Sequence, residues 1–209
     1  MLNIISVAVA SLVLAVSSPT GSASPGTPTH QLQHIVLAGG CFWGMEAVFD
    51  DVKGVTSAVA GYAGGSKATA HYEIVSTGLT GHAESVQVTF DPSKVSLEQL
   101  LDVYFFVAHD PTELDRQGPD EGSQYRSAIF YMDDEQKRIA LAYIKRLQND
   151  KAFDKPVVTQ VVPLPAFYPA EAYHQHYVAD HPDSLYVQYN DLPKLAELHK
   201  RYPQLAKTT

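Results

Sequence analysis

One cysteine, Cys41, stands in a chain of 209 residues, and it constrains the fold in two ways. No internal disulfide is possible, so the tertiary structure rests on its hydrophobic core. The cysteine also marks a change of pattern. His34-Ile35-Val36-Leu37-Ala38 reads as a short buried strand, whereas Phe42, Met45, Val48, Phe49 and Val52 recur at helical spacing over residues 42–52. Gly39 and Gly40 let the backbone turn tightly between the two. Cys41 is therefore expected at a helix start, where unpaired N–H groups and the positive end of the dipole favour a thiolate and lower a thiol pKa from its usual ~8.5. A free cysteine is more often an inert buried hydrophobe. Two glycines before it, and Phe42 and the only tryptophan, Trp43, after it, favour a reactive thiol.

The rest of the chain alternates strand and helix patterns. Residues 55–62 read as a strand with Val55, Ser57, Val59 and Gly61 on one face, and residues 71–77 as a short helix or an irregular segment. Residues 83–90 give the clearest strand, with Glu84, Val86, Val88 and Phe90 on one face. A carboxyl group on the inward face of a strand is costly to bury as an anion, so a raised pKa is expected for Glu84. Asp91-Pro92 turns the chain, and Ser96-Leu97-Glu98-Gln99 has the form of a capping box opening a helix to Val107. Residues 110–123 read as a long polar loop, 127–132 as a strand, 133–149 as a helix with Ile139, Ala140, Tyr143, Ile144 and Leu147 inward, and 157–162 as a strand. This order, without repeats, predicts an α+β fold: a two-layer sandwich with a ferredoxin-like core and long loops.

The chain is 45% hydrophobic and 18% charged, enough for one domain with a sizeable core, and its net charge is −8. With no basic footprint, nucleic acid is not an expected partner. Residues 1–23 differ from the rest: 4–16 are almost wholly apolar and small residues follow, ending Gly21-Ser22-Ala23. That is the form of a secretory signal peptide, although no Lys or Arg precedes the apolar stretch. The expected organisation is signal peptide 1–23, flexible linker 24–33 and a single catalytic domain 34–209. Such a protein would be exported, in the periplasm, monomeric and without stable membrane association once the signal is removed. An odd thiol in an exported chain points to intermolecular pairing or to reactivity, and a helix start favours the second.

Gly-Cys-Phe-Trp-Gly-Met-Glu (residues 40–46) resembles the signature of the A-type peptide methionine sulfoxide reductases. Gly81-His82-Ala83-Glu84, His109-Asp110-Pro111-Thr112, Asp120 to Ser127 and Pro169 to Gln175 are similar to that family's other blocks, in the same order. Together they span about residues 34–182. The resemblance implies the same sandwich fold and reduction of methionine S-sulfoxide, free or in proteins. It makes Cys41 the nucleophile, Glu84 the general acid, Tyr72 and Tyr125 donors to the sulfoxide oxygen and Asp120 a further catalytic group, with Phe42 and Trp43 against the methyl. It implies no bound cofactor and no metal, and an external reductant: a thioredoxin-like protein or a monothiol, replaced by dithiothreitol in vitro. Two departures matter. The tail after residue 182 holds no resolving cysteine, and Thr77 stands where relatives often have a cysteine, so a reductant is expected to attack the oxidised Cys41 directly.

Two other readings use the same residues. A cysteine hydrolase or transferase would need a histidine beside Cys41, with His82 and His109 as candidates. A metal-binding protein would use His174, His176 and His181; on a helix the first two diverge, and the first and last lie two turns apart.

Overall fold

The chain leaves its first strand, β1 (Gln33–Ala38), buried from Ile35 onward and enters α1 (Phe42–Asp50) through Cys41. The computed structural model describes residues 1–2 and 31–208, so all but the first two residues of the expected signal peptide and most of the expected linker lie outside the described residues. Strand β2 (Val55–Ala63), a single-turn helix α2 (Tyr72–Val75) and strand β3 (Ala83–Phe90) follow. Helix α3 (Leu97–Val103) runs on into a π turn, Tyr104–Ala108. Then come the two-residue strands β4 (Arg116–Gln117) and β5 (Asp120–Glu121), strand β6 (Ala128–Tyr131), helix α4 (Asp134–Asn149) and strands β7 (Gln160–Pro163) and β8 (Phe167–Pro169). The chain closes with α5 (Tyr177–Asp180), a second π turn at Val187–Asp191 and α6 (Leu192–Arg201). Among the described residues no helix is long and apolar enough to cross a membrane.

The fold is α+β. Six strands form one mixed sheet in the order β7-β6-β1-β3-β2-β8; β6 and β7 are parallel and every other pair is antiparallel. The two faces of the sheet are unequal. Ile35, Leu37, Ala60, Tyr62, Val86 and Val88 pack with Phe42, Met45 and Phe49 of α1 and with Leu100 and Leu101 of α3 in the main core. Val36, Ala38, Ala63, Ala83, Ala128 and Phe130 make a smaller cluster on the other face, covered by Val162, Leu164 and Phe167. Each fully buried Leu, Ile or Phe contributes about 1.5–3 kcal/mol relative to leaving it exposed, so the larger face carries most of the stability.

Several boundaries differ from those expected. Helix α1 stops at Asp50, because Val52 turns away to pair with Ala206. In β2 a register shift between Val55 and Ser57 puts Val55 in the core together with Ala58, Ala60 and Tyr62, rather than with Ser57 and Val59. A bulge inserts one residue and so reverses the alternation beyond it. Residues 116–121 are a small antiparallel ladder within the expected loop, and β7 begins at Gln160, three residues after its predicted start. The capping box forms as predicted: Ser96 accepts from the Gln99 N–H, and Gln99 accepts from the Ser96 N–H.

Candidate active site

Cys41 is the N-cap of α1 and 8% exposed. The turn before it depends on Gly40, which has φ +93°; a Cβ there would also lie 2.7 Å from Gln117 Cβ. Glu84, near the start of β3, is buried on the core face with Val86 and Val88, and its Oε2 accepts the Phe42 N–H at 3.1 Å. That bond satisfies a helix N–H that has no intrahelical partner. The other side of the cleft comes from distant segments. Glu171 accepts from the Tyr72 N–H (3.0 Å) and the Tyr62 hydroxyl (2.8 Å), fixing the start of α2. Arg126 donates to the carbonyls of Gly81 (2.9 Å), His82 (3.1 Å) and Ser123 (2.8 Å), tying the turn that carries Tyr125 to the loop leading into Glu84.

A cleft of ≈ 200 Å³ results, lined by Cys41, Phe42, Trp43, Tyr72, Glu84, Asp120, Tyr125 and Tyr186. It brings together all seven site residues named from the sequence. Tyr186 is the addition: its hydroxyl donates to Asp120 and its ring meets Trp43 edge-on. Trp43 is further held by Tyr177, stacked at 3.7 Å, and donates from Nε1 to His174 Nδ1 at 3.0 Å. His174 is buried and its pKa is lowered by that burial, so its ring is neutral with Nδ1 as acceptor. Nothing in the spacing of residues 171–191 singles out these partners. Only the family-like Pro169 to Gln175 block pointed to that part of the chain.

Burial decides the protonation states. Glu84 is pushed up to about 8, chiefly by loss of solvent and further by Asp120, against the Phe42 N–H bond, so it holds a proton at neutral pH as expected. Cys41 departs from expectation. Its thiol is raised well above the usual range by burial, then by Glu84 and by Asp191; the Trp43 N–H and Lys194 offset this only in part. The helix start is real, yet desolvation and two carboxylates outweigh it. Tyr72 and Tyr125 are also raised, first by burial and next by Glu84, so both keep their phenolic protons as donors.

Neither a cysteine–histidine pair nor the three-histidine cluster assembles. His109 is bonded through Nδ1 to the Tyr104 carbonyl and through Nε2 to Ser127 Oγ, and His82 to the Gly65 N–H and the Ser66 carbonyl. Neither has a ring nitrogen left for Cys41. His174 turns to Trp43 while His181 bonds to the Tyr177 carbonyl, so those two share no ligand site.

A sequence model described as peptide methionine sulfoxide reductase matches residues 33–206. The peptide methionine sulfoxide reductase MsrA 2 of Mesorhizobium japonicum is 54% identical over 183 residues, which is 88% of this chain and 91% of that protein. The protein of the same description from Synechocystis sp. is 47% identical over 190 residues, 91% and 86% of the two chains. Among solved structures, reduced Mxr1 from Saccharomyces cerevisiae superposes with a TM-score of 0.67 at 33% identity, covering 73% of this chain and 87% of that one. Methionine sulfoxide reductase A of Corynebacterium diphtheriae gives 0.64 at 34% identity, over 75% and 77%. With the sequence match running through every strand and helix described above, the chain belongs to the peptide methionine sulfoxide reductase MsrA family.

Proposed function

We propose that the cleft around Cys41 carries out the family's reaction, reduction of methionine S-sulfoxide to methionine in the repair of oxidised proteins, by two balanced half-reactions. In the first, the Cys41 sulfur attacks the sulfoxide sulfur while Glu84 gives its proton to the oxygen and takes up the proton that the thiol releases, and the Tyr72 and Tyr125 hydroxyls donate to that oxygen as charge develops. Asp120, fixed by Tyr186, helps keep the proton on Glu84 until it is needed. Phe42 and Trp43 pack the methyl group. The sulfoxide gains two electrons and leaves as methionine; the thiol loses two and becomes a sulfenic acid, which retains the oxygen. In the second, an external thiol attacks the sulfenic sulfur and water leaves, after which another thiol opens the mixed disulfide and restores Cys41. With no second cysteine in the chain, both steps fall to the reductant: a thioredoxin-like dithiol or a monothiol, or dithiothreitol in vitro. The apolar leader supports an exported enzyme. The order β6-β1-β3-β2, with α1 and α3 in the connections, supports a ferredoxin-like core as the scaffold.

The observation that carries this reading is a buried carboxyl group, raised by loss of solvent, in one small cleft with a thiol and two phenols. Turnover of the separated S and R epimers of free and peptide-bound methionine sulfoxide with dithiothreitol tests it. The S epimers should be consumed and the R epimers spared. A burst from an ester or peptide bond with no sulfoxide reduction would favour the hydrolase reading.

A further inference from the structure

Farther along α1 from Cys41, a second group of polar side chains has no part in the chemistry above. Glu46 and Asp50 are one helical turn apart and so share a face; His176, 126 positions beyond Asp50 in the sequence, closes the group. Glu46 is 1% exposed, and its Oε1 has no hydrogen-bond partner among the described residues although Oε2 accepts the His176 N–H at 2.8 Å. A buried carboxylate oxygen without a donor is unfavourable unless something positive meets it. That oxygen lies 3.9 Å from His176 Nδ1, which is 3.3 Å from Asp50 Oδ2, and one donor atom from each residue falls within 4.8 Å of the others. Around a tetrahedral ion with bonds of about 2.1 Å, neighbouring ligand atoms are separated by about 3.4 Å, a spacing these distances bracket. Asp50 Oδ1 accepts the Ala58 N–H at 3.0 Å, which orients its other oxygen. His176 is 63% exposed on its side chain, leaving an open side for entry and for a water ligand.

We propose that Glu46, Asp50 and His176 form a site for a divalent transition-metal ion of the zinc type. One imidazole and two carboxylates suit such an ion better than a soft one, which selects thiolate, or magnesium, which takes oxygen alone. Its two carboxylate ligands supply the negative charge that a divalent cation neutralises. The ion would tie α1, whose first turn presents Cys41 and Trp43, to the segment that holds Trp43 through His174 and Tyr177. Metal occupancy would then be felt at the wall of the substrate cleft, and Trp43, the only tryptophan of the chain, would report it.

The test is titration of the purified chain with zinc chloride, followed by calorimetry and by Trp43 fluorescence. Cys41→Ser serves as the parent, so that the thiol cannot supply the binding. One zinc per chain should bind with a saturating change in fluorescence. Adding His176→Gln or Asp50→Asn, which retain an exposed polar side chain and the acceptor for Ala58 respectively, should each weaken binding at least tenfold, since even outer-shell partners of a metal are worth ~10–100-fold. Absence of saturable binding in Cys41→Ser would overturn the proposal. So would equal affinity in His176→Gln and its parent, which would assign the zinc to other surface histidines.

Discussion

Cys41 and Glu84 divide one task between two buried groups. At neutral pH both groups hold a proton, and Glu84 supplies one to the sulfoxide oxygen while taking up the one that the thiol gives up as its sulfur attacks. Glu84 when ionised raises the Cys41 thiol; once Glu84 is protonated that contribution disappears. The sign follows for pH. The acid form of Glu84 is present below about 8 and lost above it, so the rate of the first turnover should fall as pH rises through 8. In Glu84→Gln the first turnover, measured by rapid quench at pH 7, should be slower by roughly a hundredfold or more, and the fall above pH 8 should vanish. An unchanged rate, or a fall that persists in the variant, would place the proton on another group. The same substitution removes the carboxylate that raises the thiol, so alkylation of Cys41 by iodoacetamide should reach its half-maximal rate at lower pH in Glu84→Gln than in wild type.

At the scale of elements, α1 is set by what crowds its first turn. Asp191 is wholly buried, and neither of its carboxylate oxygens has a hydrogen-bond partner among the described residues; Lys194 lies 3.8 Å from Oδ1, and burial pushes Asp191 up to about 6. A Cβ at Gly44 would lie 2.2 Å from that Oδ1, so glycine is what admits the carboxyl group beside the helix. Alanine favours helix over glycine by about 1 kcal/mol, yet Gly44→Ala should destabilise the protein by roughly 1–3 kcal/mol, because the clash is with a packed side chain. Urea unfolding reads this directly, and a more stable variant would show that Asp191 moves freely. None of this is legible in residues 42–50 alone. Local signals were enough for β3, whose bounds match at Ala83 and Phe90, and for the Ser96 cap of α3, because alternation and capping act over a few residues. They did not suffice for the end of α1, the bulge in β2 or the start of β7, each fixed by a partner far along the chain: Ala206, β3 and β6.

The whole molecule assembles its cleft from separate stretches: the Cys41 turn, Tyr72, Glu84, Asp120, Tyr125 and Tyr186. The first five were readable through the resemblance to the family, four of them inside its quoted blocks and Tyr72 outside them. Tyr186 and Asp191 were not, since tyrosine and aspartate in a polar C-terminal segment carry no periodic signal and acquire their contacts only when the tail folds back; His174, although inside a family-like block, gave no sign of its bond to Trp43. It returns as far as the end of α1, where the Lys207 N–H donates to the Asp51 carbonyl and His199 bonds to Asp51. Burial likewise reversed the expected shift of Cys41, because a helix dipole can be inferred from sequence whereas the carboxylates packed against a thiol cannot. The central claim is a cycle resting on one sulfur, and one measurement addresses it directly: a single turnover of a peptide methionine S-sulfoxide in the absence of any reductant, quantifying methionine and the dimedone adduct by mass spectrometry. Wild type should yield one methionine per chain, one adduct located at Cys41 and no internal disulfide, and Cys41→Ser should yield neither product. Two methionines per chain, or methionine formed with no adduct at Cys41, would contradict the account.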